Sequence, residues 1–89
     1  MKYSLQYTKS ARGDLGKMDK KIAVRVISKI DFYCSQNNPL EFASALTGQL
    51  EGLYRFRIGE YRAIFHKDAR GKITMLTILR IKHRKDIYR

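Results

Sequence analysis

Residues 53–66 read Leu53-Tyr54-Arg55-Phe56-Arg57-Ile58-Gly59-Glu60-Tyr61-Arg62-Ala63-Ile64-Phe65-His66. Tyr54, Phe56 and Ile58 alternate with Arg55 and Arg57, the period of a strand with one buried face. Gly59-Glu60 is a two-residue turn with glycine first, which suits a type II′ hairpin because glycine adopts positive φ without steric penalty. Tyr61 to His66 is then the returning strand. The loop length fixes the register: Ile58 opposite Tyr61, Arg57 opposite Arg62, Phe56 opposite Ala63, Arg55 opposite Ile64. Residues directly opposite share a face. Arg55, Arg57 and Arg62 thus fall together, and Tyr54, Phe56, Ile58, Tyr61, Ala63 and Phe65 fall on the side expected to pack on helices. Like charges set opposite each other destabilise a sheet by up to about 1 kcal/mol. The arginine face therefore reads as awaiting an anion, and guanidinium forks suit phosphate. On that reading, truncating Arg62 leaves the fold intact or slightly more stable. Tyr54 and Tyr61 point away from the arginines, which favours core packing over base stacking.

Upstream, Lys2 to Tyr7 alternates Tyr3, Leu5 and Tyr7 against polar residues, a half-buried strand. Thr8 or Ser10 can cap a first helix carrying Ala11, Leu15 and Met18, although Gly13 and Gly16 each cost it about 1 kcal/mol. A second helix starts at the capping residue Asp19. Its apolar stripe is Ile22, Val26, Ile30 and Tyr33, widened by Ile27 and Cys34, and Pro39 ends it. Residues 39–52 are a polar connector with a short helical turn at 41–46. Downstream, Asp68-Ala69-Arg70-Gly71 is the next turn, and Lys72 to Ile81 has the Ile, Thr and Leu content of a central strand. The order β-α-α-β-β-β gives an α+β fold, two N-terminal helices packed on one face of a mostly antiparallel twisted sheet. No repeat or linker divides residues 1–89, so a single domain is expected.

Charge narrows the partners. The 89 residues carry 19 Lys and Arg against 8 Asp and Glu, a net charge of +11. The excess sits late: residues 1–50 hold 8 basic and 4 acidic side chains, and residues 51–89 hold 11 and 4. Such a field favours an anionic partner, most commonly nucleic acid. Cys34 is the only cysteine, so an internal disulfide and a two-cysteine metal clip are excluded. The absence of a signal-like or membrane-spanning apolar run leads to the expectation of a cytoplasmic protein.

The tail His83-Arg84-Lys85-Asp86-Ile87-Tyr88-Arg89 is the second candidate constellation. His83 can exchange a proton near neutral pH, Arg84 and Lys85 add charge, and Tyr88 offers a ring and a phenol. His66 and His83 do not make an acid–base pair on this reading, because His66 leads the 66–71 turn far from the tail. No spacing groups His, Cys, Asp and Glu as metal ligands, and no glycine-rich phosphate loop or nucleophile elbow is present. No cofactor is expected.

Leu46-Thr47-Gly48 followed by Gly52 to Phe65 resembles the middle of the RelE/ParE toxin superfamily, and residues 83–89 resemble the tail of its RelE-like members. The resemblance spans nearly the whole chain. It implies a type II toxin that enters the A site of the 70S ribosome and cuts mRNA without a metal, the message's own 2′-hydroxyl attacking the adjacent phosphate. It assigns Arg62 to the phosphate, Arg55 and Arg57 to substrate binding on the strand, and Tyr88 to base stacking and proton transfer. Arg84, with His83 beside it, matches the basic catalytic residue of the tail. Lys82 is the alternative under a gap-free alignment, and Lys85 adds substrate-binding charge. Some members carry lysines where Arg55 and Arg57 stand, and others carry a glutamate on this face, which is missing here. Arginine is a poor general base, so the base is unassigned and electrostatic stabilisation is the expected role. The competing implication is a ParE-like, non-enzymatic toxin that poisons DNA gyrase; Arg62 fits both, and the tail tyrosine favours RNA cleavage. An acidic RelB-like antitoxin, bound in a hetero-oligomer, is the implied partner.

Overall fold

The computed structural model describes residues 2–87. Strand β1 (Lys2–Tyr7) is followed by helices α1 (Lys9–Gly16) and α2 (Lys20–Cys34). A 3-10 turn (Pro39–Phe42) leads into β2 (Ala43–Ala45), and a second 3-10 turn (Gly48–Leu50) precedes β3 (Tyr54–Ile58). Strands β4 (Tyr61–Arg70) and β5 (Ile73–His83) and the one-turn helix α3 (Arg84–Ile87) complete it. The strands form one sheet in the order β1-β5-β4-β3-β2, antiparallel except for the parallel pair β1–β5.

Local chemistry sets the helix starts. The Thr8 hydroxyl accepts from the Ala11 N–H, and the Asp19 carboxylate accepts from the Lys21 N–H at 2.9 Å; each satisfies a helix-start donor that has no partner within its own helix. Val26 and Ile30 of α2 and Ala11 of α1 are buried against Phe56, Ile58, Ala63, Phe65, Leu76, Ile78 and Ile81 of the sheet. Phe56 stacks on Phe65 at 4.3 Å between ring centroids, and Tyr33 of α2 lies 5.0 Å from Phe56. The helices thus cover the side anticipated from the alternation of residues 54–65.

The first hairpin has the register read from its loop, with Arg57 opposite Arg62 and Arg55 opposite Ile64. Gly59 has φ of 59°, and Glu60 keeps a negative φ, the type II′ arrangement. The second hairpin turns later than expected. Strand β4 runs to Arg70, which pairs with Ile73, so the tip is Gly71-Lys72 with Gly71 at φ 64°. Asp68 and Arg70 stay in the strand, joined by a 2.8 Å ion pair two residues apart on one face.

Two further features depart from the sequence reading. Residues 43–45, expected within a helical turn, form an edge strand against β3. Ala43-Ser44-Ala45 has no β-branched or aromatic residue, so its strand state comes from the free edge of β3 rather than from propensity. Strand β5 also contains a bulge: Ile64 pairs with Arg80, but Phe65 pairs with Ile78, leaving Leu79 as the extra residue. Uninterrupted alternation from Leu76 and Ile78 would drive Arg80 and Lys82 into the core. The bulge shifts the phase by one, so Ile81 is buried instead. Thr8 braces it, its N–H donating to Ile78 O and its hydroxyl to Leu79 O. No helix among the described residues is long and apolar enough to cross a membrane.

Candidate nucleic-acid interface

The sheet face opposite the helices carries an open cleft of about 380 Å³ lined by Arg55, Arg57, Arg62, Arg84 and Lys85. Strands β3 and β4 supply the three arginines of one wall, and α3 supplies the other two residues. Among the described residues the lining is five cations. Their mutual repulsion makes an incoming polyanion favourable, more so at low ionic strength.

Arg62 is not the exposed cross-strand neighbour of Arg57 that the alternation suggested. Arg57 is exposed, but Arg62 is only 5% exposed. Its Nη1 donates to the carbonyl oxygens of Gly59 and Tyr61, both at 2.8 Å. Bending back onto the turn gives the buried charge polar partners, as burial demands. Its Nε is buried and meets no acceptor among the described residues. An unpartnered buried donor in the lining of a cationic cleft is a place where an anion gains a hydrogen bond with little reorganisation.

The tail is tied to the same turn. The Arg84 N–H donates to Glu60 O at 2.7 Å, and Arg84 Nε meets Glu60 Oε2 at 2.8 Å. Lys85 joins Arg84 in the cleft, whereas Lys82 and His83 line a neighbouring concavity with Asp14, Lys17 and Arg80. Lys82 lies opposite Arg62 in the ladder, and His83 lies opposite Tyr61 on the core side. The His83 ring meets Tyr61 edge-on at 5.3 Å, and its Nδ1 accepts from the Lys85 N–H at 3.2 Å. The ring thus packs beside Tyr61 and the start of α3 rather than in the lining of the cleft. His66 pairs with Thr77, five residues along β4 from the partner of His83. Tyr88 lies outside the described residues.

The neighbouring concavity contains a contact the sequence did not flag. Asp14 on α1 accepts from Arg80 Nε at 2.9 Å, Arg80 Nη2 at 3.0 Å and the Ile81 N–H at 2.9 Å. Partial burial pushes the Asp14 carboxyl up, but the Arg80 and Ile81 hydrogen bonds and the Arg80 and Lys82 charges outweigh it and hold it below its usual range. Glu60 was also missed; its only sequence signal is a carboxylate at a hairpin tip in a chain with a basic tail. Cys34 offers no nucleophile at neutral pH, since burial first and Asp31 second push its thiol up to about 11.

Known proteins share this fold. Residues 5–88 match the family described as the ParE toxin of the type II toxin–antitoxin system parDE. The sequence is 35% identical over 89 residues to Toxin RelG of Mycobacterium tuberculosis, covering 100% of this chain and 99% of that protein. The fold matches the toxin–antitoxin complex RelBE2 from the same organism with a TM-score of 0.77 at 30% identity, over 94% of this chain and 100% of that one. The archaeal RelE–RelB complex from Pyrococcus horikoshii OT3 matches with a TM-score of 0.64 at 27% identity, over 94% and 97% of the two chains. With the family pattern running through both helices, the sheet and the tail, and a relative aligned along its full length, the chain belongs to the ParE toxin family of type II toxin–antitoxin systems and has the RelE-like α+β fold.

Proposed function

We propose that this toxin is a ribosome-dependent endoribonuclease that cuts mRNA in the 70S A site, with the scissile phosphate held in the arginine cleft. The observation that carries the reading is the convergence of Arg55, Arg57, Arg62, Arg84 and Lys85 on one cleft, with the buried Nε of Arg62 meeting no acceptor among the described residues. In the reaction the 2′-oxygen bonds to phosphorus and the P–O5′ bond breaks, leaving a cyclic phosphate and a 5′-hydroxyl. Charge builds on the non-bridging oxygens, and preorganised guanidinium donors stabilise it more strongly in the transition state than in the bound message. Arg62 is assigned to that phosphate. Arg55, Arg57 and Lys85 hold the flanking backbone, Arg84 closes on the leaving side, and Tyr88 stacks on a base. With His83 in the neighbouring concavity rather than in the cleft, the described residues act by charge and placement.

An acidic, RelB-like antitoxin is the proposed silencing partner, forming a hetero-oligomer. Two of the structural relatives are toxin–antitoxin complexes, and a net charge of +11 favours an acidic protein. The second reading, a gyrase poison that cuts nothing, is favoured by the family match itself, which is to ParE over residues 5–88. One experiment separates them: expression of the toxin followed by mapping of messenger 5′-ends. New 5′-hydroxyl ends within translated codons support the ribonuclease. Intact messages with induction of the DNA-damage response support the gyrase poison.

A further inference from the structure

We propose that Glu60 is a positioning residue of the cleft: its carbonyl and its carboxylate together hold Arg84, and with it the first turn of α3, as the second wall. Three successive turn carbonyls are engaged. Arg62 takes those of Gly59 and Tyr61 from within, and the Arg84 N–H takes that of Glu60 at 2.7 Å. The Glu60 carboxylate then grips Arg84 Nε at 2.8 Å. Among the described residues helix α3 spans four, too few to hold its own shape by helix cooperativity. Its placement therefore depends on contacts to the hairpin.

The ion pair is half open to solvent, with side chains 52% and 61% exposed, and such pairs add little to stability. Its value is geometric. Arginine loses considerable rotamer freedom when ordered. A carboxylate that orders it beforehand lowers what the substrate must supply to align it. Arg62 makes the hairpin a rigid platform, and Glu60 passes that rigidity to the tail. The alternative role for Glu60 is mere charge, a lone acid weakening the cationic field.

The turnover arm of the test rests on the ribonuclease reading; the exchange arm does not. Glu60→Gln removes the charge and keeps the side-chain shape. As a positioning residue, Glu60 yields a variant with about a tenfold lower kcat on ribosome-bound message and a KM unchanged or lower, because the field has become more positive. NMR of the Arg84 Nε–H and backbone N–H should show severalfold faster solvent exchange than in the parent, at an unchanged melting temperature. Glu60→Asp keeps a carboxylate that the long Arg84 side chain can follow and should recover most of both. A Glu60→Gln variant with a lower KM and undiminished kcat, or with unaltered Arg84 exchange, overturns the proposal, as does a Glu60→Asp variant no better than Glu60→Gln. If the parent itself cuts no message, the ribonuclease reading fails and the exchange rates alone decide: faster in Glu60→Gln supports positioning, unchanged overturns it.

Discussion

Arg62 turns its guanidinium onto its own hairpin, and this one side chain separates what the sequence could tell from what it could not. Its strand, face and partner followed from a two-residue loop, because hairpin register depends on loop length. Its burial did not follow, because a long side chain chooses its rotamer by neighbours that only the fold brings together. The consequence for mutation changes sign. Removing an exposed like-charged residue would be neutral or stabilising; removing a buried donor to two carbonyls leaves both acceptors short of a partner. Arg62→Ala is therefore expected to lower unfolding stability by about 1–3 kcal/mol, as well as to abolish message cutting. Urea denaturation measures the first and primer extension the second. An alanine variant as stable as the parent would show that the turn does not need the clamp. At the tail, Tyr88→Ala is expected to lose cutting. Tyr88→Phe isolates the hydroxyl: single-turnover cutting close to the parent's assigns Tyr88 to stacking alone, and a loss as deep as alanine's assigns the phenol to proton transfer. An alanine variant with full activity would remove Tyr88 from the site.

At the level of elements, the two helices and the long strands were legible because their apolar periods are strong and their caps, Thr8 and Asp19, stand at the starts. The strand at Ala43–Ala45 was not, since three small residues carry no period at all. The bulge at Leu79 was half legible. The core positions Leu76, Ile78 and Ile81 break the two-residue alternation, but only pairing shows where the extra residue sits. The phase shift sets His83 on the core side opposite Tyr61 and Lys82 on the arginine side opposite Arg62, yet both line the concavity beside Asp14 rather than the arginine cleft. Thr8 both caps α1 and braces the bulge, so Thr8→Ala should cost about 1–2 kcal/mol, measurable by urea denaturation. A loss within error would mean that the bulge holds itself. Asp14 joins α1 to β5 through Arg80 and Ile81. Its carboxyl is held below the usual range when folded, so the unfolded chain binds that proton more tightly. The stabilisation is fully present above the ordinary carboxylate range and fades as pH falls through the lowered folded value. Asp14→Asn should lower stability at neutral pH by about 1–2 kcal/mol and flatten the acid limb of the stability curve. An unchanged acid limb would assign that limb to other carboxylates.

For the whole molecule, the field of a +11 chain acts beyond any one contact. Association with an acidic antitoxin should be fast at low salt and slow markedly as salt rises. Because the partner binds the folded toxin, it should raise the melting temperature in proportion to the logarithm of its free concentration. Calorimetric scans across an antitoxin titration, at low and high salt, measure both; a salt-independent association rate would argue against electrostatic steering. The sheet order has a further consequence, for the chain as it is being made. Among the described residues strand β1 pairs only with β5 in the sheet, joining residues 2–7 to residues 73–78. Strand β1 thus waits unpaired until β5 has been made, and such distant pairing is slow to form. The cleft has the same order of assembly, since Arg84 and Lys85 follow β5. A nascent chain whose β5 and α3 are still inside the ribosome has neither a complete sheet nor a second cleft wall. A product cut short before β5 has no means of assembling the site.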